Sequence, residues 1–250
     1  MTIQYSQNEE LSIKNLISEV YINSHENIVL QNFVDTAILA TKNEYVDKIN
    51  DIIIDEFPGE VKEYYSFDSL ITSHENVLCN TDFLNDLSPV GLPPHKLILK
   101  QNCPVMLLRN LDPSSGLSNG SRLICKRFYN NLIDAQIITE NHKGTHILLP
   151  RIPLQSPEES KLPFQFIRKQ FPIRLCFAMT INKSQGQTLK KVGIYLPEPV
   201  FAHGQLYVAL SRATSANATK ILIKPANQEN IPRNATRNIV HKKFLLRCNT

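Results

Sequence analysis

The stretch Ala178-Met179-Thr180-Ile181-Asn182-Lys183-Ser184-Gln185-Gly186-Gln187-Thr188 closes a mostly apolar run over residues 171–179 and opens into a polar, glycine-bearing turn. The run reads as a buried strand, and the polar residues after it as the start of a short helical turn over 184–190. In an open α/β sheet such a turn lies at the carboxyl end of its strand, where ligands bind. Its composition suits a phosphate-rich ligand. Lys183 supplies charge, Thr180, Asn182 and Ser184 supply donors, and Gly186 lets backbone N–H groups approach an anion. An ordinary strand-to-helix turn capped by Ser184 accounts for the Ser and the Gly, but not for a Lys beside Asn and two Gln.

Working outward, residues 192–196 read as another strand, 201–212 as a helix and 220–223 as a strand. Far upstream, the run TAILA at 36–40, the polar Thr41-Lys42-Asn43 and a helix over 44–55 stopped by Pro58-Gly59 form a unit of the same kind. Strands alternating with helices mean a parallel sheet. The middle differs. Short strand-like runs at 97–99, 104–110, 121–128, 132–139 and 145–149 are separated by the turn signals Asp112-Pro113, Asn119-Gly120, Asn130-Asn131 and Lys143-Gly144. Short strands in succession indicate a small antiparallel barrel. The simplest assembly is one α/β domain interrupted by a barrel between about residues 80 and 170. Apolar residues at Ile13, Leu16, Ile17, Val20 and Tyr21 add an amphipathic helix over 11–22, and the polar, basic tail from 225 is expected to be partly disordered.

The chain has 250 residues, 42% hydrophobic and 20% charged, enough for a sizeable core. No apolar stretch approaches the roughly 20 residues of a membrane span, and the acidic start MTIQYSQNEE lacks the pattern of a secretory signal. Cys79, Cys103, Cys125, Cys176 and Cys248 are odd in number and widely spaced, so reduced thiols are expected, with no disulfide framework and no metal site. His142 and His146 read as hairpin histidines. Charge is split: residues 1–89 hold 4 Lys and Arg against 16 Asp and Glu, while 90–250 hold 23 against 7. The stretch 160–197 carries Lys161, Arg168, Lys169, Arg174, Lys183, Lys190 and Lys191 and no acid. That suits a polyanion, or equally a basic surface docked on the acidic half. Phe164, Phe166 and Phe171 beside Arg168 and Lys169 are placed either to stack bases or to fill core.

A second segment, His203-Gly204-Gln205-Leu206-Tyr207-Val208-Ala209-Leu210-Ser211-Arg212-Ala213, ends in an arginine whose fork can reach an anion or simply complement a helix dipole. Taken in this order, residues 178–189 and 205–213 resemble motifs V and VI of superfamily 1 helicases. They are most similar to the PIF (petite integration frequency) family, including the Helitron-type transposon helicases. Residues 37–50 resemble the motif IV region, and 83–123 the family's inserted domain 2B.

The resemblance implies an α/β fold: a RecA-like parallel-sheet domain (2A) at 34–80 and 170–225, interrupted by a small antiparallel SH3-like β-barrel insertion (2B) at 81–169. Residues 1–33 would be a helix left from a preceding domain, and 226–250 a basic tail. It implies Arg212 as arginine finger, Gly186, Gln187 and Thr188 lining the ATP side of an inter-domain cleft, and Thr180, Asn182, Lys183 and Ser184 facing single-stranded DNA. Thr41, Lys42 and Asn43 would form the motif IV loop near DNA or nucleotide. It implies ATP and Mg²⁺ as cofactors of the complete enzyme, 5′-to-3′ unwinding in DNA repair, recombination or transposition, and a nuclear location. The family's G-x-x-x-x-G-K-[ST] loop and its Mg²⁺-holding acid belong to a first, N-terminal RecA-like domain, and none of the eight glycines here is followed by Lys-Ser or Lys-Thr. Two alternatives stay open: a nucleic-acid-binding module or transposon-derived relic without ATPase activity, and a purely structural partner domain.

Overall fold

The computed structural model describes residues 2–21, 33–71, 80–138, 142–158, 162, 164–225, 232 and 235–241. It divides into two units, Met1–Glu56 with Phe177–Thr250, and Phe57–Cys176.

In the first unit, strand β2 (Thr36–Ala40) is buried at all five positions, as expected for a strand covered on both faces. Together with β1 (Thr2–Ile3), β13 (Ala178–Thr180), β14 (Lys191–Leu196) and β15 (Thr219–Ile223), it forms a parallel sheet ordered β1-β15-β14-β2-β13 among the described residues. Helix α1 (Glu9–Tyr21) buries Ile13, Leu16, Ile17, Val20 and Tyr21, each contributing about 1.5–3 kcal/mol of apolar burial. Gly193 lets it come close. A Cβ there would sit 2.8 Å from Val20 and 3.0 Å from Ile38. The N-terminal helix is therefore packed within the parallel-sheet unit, its apolar stripe covered by this sheet. Helix α2 (Asn43–Glu56) packs Val46, Ile49, Ile53 and Ile54 inward.

In the second unit, β6 (Pro104–Leu107), β7 (Arg122–Phe128), β8 (Leu132–Ile137), β9 (His146–Pro150) and β12 (Ile173–Leu175) form an antiparallel sheet ordered β12-β6-β7-β8-β9. Strand β3 (Val61–Tyr65) pairs with β5 (Lys96–Lys100), and β11 (Phe166–Gln170) lies between β4 (Phe67–Leu70) and β10 (Ile152–Gln155). This is the antiparallel insertion expected from the sequence, but its limits move. The expected divisions at 80/81 and 169/170 lie at 56/57 and 176/177, because β3, β4 and β12 pair with strands of the insertion and none with the parallel sheet.

The apolar run 171–179 is not one strand. Its first part pairs with β6 and its last with β2, so two sheets share it. The helix expected over 201–212 shrinks to α4 (Gln205–Leu210), since Gly204 before it takes a left-handed φ of 76° that no right-handed helix continues. Phe166 and Phe171 are fully buried core, not stacking surfaces. Cys103, Cys125 and Cys176 are buried free thiols, and a hydrogen bond with Cys103 together with burial pushes the Cys125 thiol well up. Cys79 and Cys248 lie outside the described residues, as does most of the tail.

Candidate functional site: the carboxyl edge of the parallel sheet

Register places Ala40, Thr180 and Tyr195 level across β2, β13 and β14. The chain therefore leaves these neighbouring strands side by side, into Thr41-Lys42-Asn43, into 181–190, and into Pro197-Glu198. Edge strand β13 is held from its open side by Asn50 of α2: Ala178 N–H donates to Asn50 Oδ1 (2.8 Å), and Asn50 Nδ2 donates to the Ala178 carbonyl (3.3 Å). The sequence reading missed this residue. Its signal was a lone amide on the apolar face of α2, which a buried position tolerates only when paired.

After Thr180 the chain makes a 3-10 turn at Ile181–Ser184, earlier than the helical turn expected over 184–190. Asn182 and Lys183 are exposed and Thr180 half-buried. Ser184 is not on that surface; it is fully buried and its hydroxyl donates to the Ile181 carbonyl (2.7 Å). Gly186 has φ 81° with nothing within 4 Å of a Cβ position, so its backbone is open to close approach. Thr188 is exposed, and Gln187 is half-buried with its amide donating to the Lys183 carbonyl (3.2 Å).

Arg212 meets this loop directly. Its Nη1 donates to the carbonyls of Gln187 (2.9 Å) and Ser184 (3.4 Å), its Nε to Val208 (2.9 Å) and its Nη2 to the Ser211 hydroxyl (2.8 Å). Leu189 N–H donates to the Arg212 carbonyl (3.0 Å), and Leu189 bridges Ala213 in parallel. The joint forms two residues before β14 begins, where the loop has run back to the amino end of the sheet. One half-exposed arginine thus ties the Lys183-bearing loop to α4, with no carboxylate among its hydrogen-bond partners in the described residues.

The motif IV residues leave the adjacent strand. Thr41 is buried with its Oγ1 lacking a hydrogen-bond partner among the described residues, and Asn43 is half-buried at the start of α2. Lys42 Nζ pairs with Glu198 Oε1 at 2.5 Å, which raises the lysine pKa and lowers that of Glu198. The basic stretch 160–197 is not one surface. It is divided between the two units, Arg168 is fully buried, Lys190 pairs with Asp35 (2.8 Å), and burial lowers the Lys191 pKa. Lys161 lies outside the described residues. His146 pairs with Asp134 (3.0 Å), and the His142 ring covers Gly116.

A family model described as "DNA helicase Pif1, 2B domain" matches residues 82–128, and a herpes helicase model described as "Helicase" matches 166–243. The ATP-dependent DNA helicase PIF1 of Danio rerio is 32% identical over 200 residues, covering 76% of this chain and 28% of the relative. That of Rattus norvegicus is 35% identical over 185 residues, covering 74% and 27%. The chain spans about a quarter of the length of these curated relatives. Among solved structures, the Pif1 helicase of Candida albicans superposes with TM-score 0.57 at 24% identity, covering 96% of this chain and 54% of that one. Bacteroides Pif1 bound to ssDNA gives 0.57 at 23%, covering 96% and 49%. These likenesses show a shared fold, a RecA-like α/β unit carrying an antiparallel insertion. Over about three quarters of its length the chain thus resembles the C-terminal portion of a Pif1-like helicase.

Proposed function

We propose that the chain serves as the second motor domain of an ATP-dependent DNA helicase that moves along single-stranded DNA in the 5′-to-3′ direction. The observation that carries this is the Arg212 joint, which makes the arginine-bearing helix end and the lysine-bearing loop one mechanical piece. Relatives of this chain are described as ATP-dependent DNA helicases, and a related Bacteroides structure is described in complex with ADP-AlF3 and ssDNA. On this reading Lys183, Asn182 and Thr180 contact the DNA backbone, with Ser184 supporting the loop from inside. The Thr41-Lys42-Asn43 loop stands beside them. Gly186, Gln187 and Thr188 line the nucleotide side with Arg212. ATP with its Mg²⁺ supplies the phosphoryl chemistry when bound. Arg212 is this chain's group for stabilising the charge that develops there, and a displacement of its fork is passed to Lys183 through Ser184 and Gln187. The phosphate loop and Mg²⁺ ligands come from an N-terminal RecA-like domain. DNA repair, recombination or transposition, the last as in Helitrons, and a nuclear location are the settings this activity suits.

A reading without a motor, a nucleic-acid-binding module, is favoured by the lack of a G-x-x-x-x-G-K-[ST] sequence in these 250 residues. ATP chemistry separates the two. The chain alone shows no DNA-stimulated ATP turnover; adding a relative's N-terminal RecA-like domain in trans restores it, and Arg212→Ala abolishes the gain. Turnover by the chain alone contradicts the domain assignment, and no gain in trans favours the module.

A further inference from the structure

The loops that leave β2 and β14 meet across a crevice. From β2 the chain passes first to β13 on one side and then to β14 and β15 on the other, so the winding reverses between β2 and β14. At such a reversal the loops part outside the carboxyl ends of the strands and leave room for a ligand. Here an ion pair bridges the opening. Lys42, two residues beyond β2, places its ammonium 2.5 Å from Oε1 of Glu198, two residues beyond β14. The Tyr45 hydroxyl donates to the same oxygen (3.1 Å). A second acid, Glu44, stands 3.8 Å from the ammonium, beyond hydrogen-bond length. The loop carrying Lys183 leaves the sheet on the other side of β2, from β13.

Glu198 is fixed in this position. Pro197 and Pro199 on either side of it lock their own φ and keep the residues before them extended, so the carboxylate projects from a stiff segment. The hydrogen bond from Lys42 holds its pKa below the usual carboxylate range, which keeps it charged at neutral pH. Burial, together with Glu198, pushes the Tyr45 hydroxyl up to about 12, so that group stays a donor. Yet the pair is open to water. The lysine and glutamate side chains are 45% and 36% exposed, the regime in which an ion pair opens at little cost. Opening it does not strand the carboxylate, because Glu198 also borders a cavity of about 230 Å³ lined by Arg237 and by Lys224, itself bonded to Glu9 (3.0 Å). A carboxylate held against a lysine at the mouth of a ligand crevice occupies that lysine as a phosphate oxygen would.

We propose that Glu198 is an internal competitor for Lys42, holding that lysine in place of a backbone phosphate of single-stranded DNA until the strand displaces it. This rests on the reading that the chain binds single-stranded DNA. It is tested by fluorescence anisotropy of labelled oligothymidylate with the full chain across a salt series. Glu198→Gln is expected to tighten binding about fivefold at low salt, the upper end of what an exposed ion pair resists. It should also steepen the slope of log K against log salt by up to about 0.7, the mark of one more phosphate contact. Lys42→Ala is expected to weaken the wild-type chain about twofold but the Glu198→Gln chain about tenfold, so that Glu198→Gln brings no gain once Lys42 is gone. A gain of equal size with and without Lys42 overturns the inference, since removing any acid near the strand would then suffice. No gain from Glu198→Gln, with Lys183→Ala still weakening binding, overturns it and leaves the DNA reading standing. If the wild-type chain fails to bind at low salt, both fall. A gain seen with labelled ATP and not with oligothymidylate gives Lys42 to the nucleotide and overturns the inference as well. Neither side chain belongs to the core, so unchanged thermal melting shows that folding is intact.

Discussion

The two units each use an arginine as a tie, and the two ties differ in kind. In the insertion, Arg168 is fully buried, pairs with Asp68 at 2.6 Å, and also donates to the carbonyls of Leu84, Leu87 and Pro93. In the parallel-sheet unit, Arg212 is half-exposed and donates to backbone carbonyls and a hydroxyl. A buried charge tolerates no loss of its partner. A half-exposed charge holding carbonyls can change partners at modest cost, because water and other acceptors substitute for them. The first is a fixed tie, and the second is one whose bonds can be exchanged.

The largest expected effect tests the first half of that contrast. Arg168→Leu leaves Asp68 buried and unpaired, and should cost about 3–5 kcal/mol by denaturant unfolding. The double variant Arg168→Leu/Asp68→Leu should recover much of it, since no charge is then stranded; equal losses in the single and double variants would break the comparison. Next, Gly193→Ala drives a methyl into Val20 and Ile38, and about 1–3 kcal/mol of overpacking should appear in the same assay. Hydrogen exchange should show the loss in α1 and β14, while an unchanged α1 would argue against its close packing on the sheet.

Arg212→Ala should cost about 1–2 kcal/mol and raise hydrogen exchange across 184–189, with the insertion undisturbed. A loss as large as that of Arg168→Leu would place both arginines in one class. The smallest effect concerns Glu9, whose carboxyl is drawn down to about 2 by hydrogen bonds from Lys48 (2.7 Å) and Lys224 (3.0 Å). A folded-state pKa below the unfolded value means that this stabilisation is present above about pH 4.5 and is lost as pH falls toward 2. Solvent screening limits it to about 1 kcal/mol or less. The stability gap between wild type and Glu9→Gln, followed over that range, should close in acid.

Much of the parallel-sheet unit was legible because its signals are local. The run 36–40, the stripe of α1 and the segments 178–189 and 205–213 carry their periodicity and chemistry within a dozen residues. What escaped depended on distant partners. Arg168 looked like one more cation of a basic stretch because Asp68, 100 positions away, decides that it is buried. Ser184 looked like a surface donor until the 3-10 turn folded its hydroxyl onto Ile181. Asn50 had no visible purpose without Ala178 beside it.

The amino-acid sequence by itself determined the likeness to Pif1-like helicases, the parallel sheet with an antiparallel insertion, and the two loops on which the proposed chemistry rests, because residue type and spacing along the chain encode these directly. Only the tertiary structure decided where the insertion begins, to which sheet each part of 171–179 belongs, and which cations face water. Strand pairing and charge burial are set by what lies across the fold, and an apolar run or a lysine-rich stretch has the same composition whichever partner it meets.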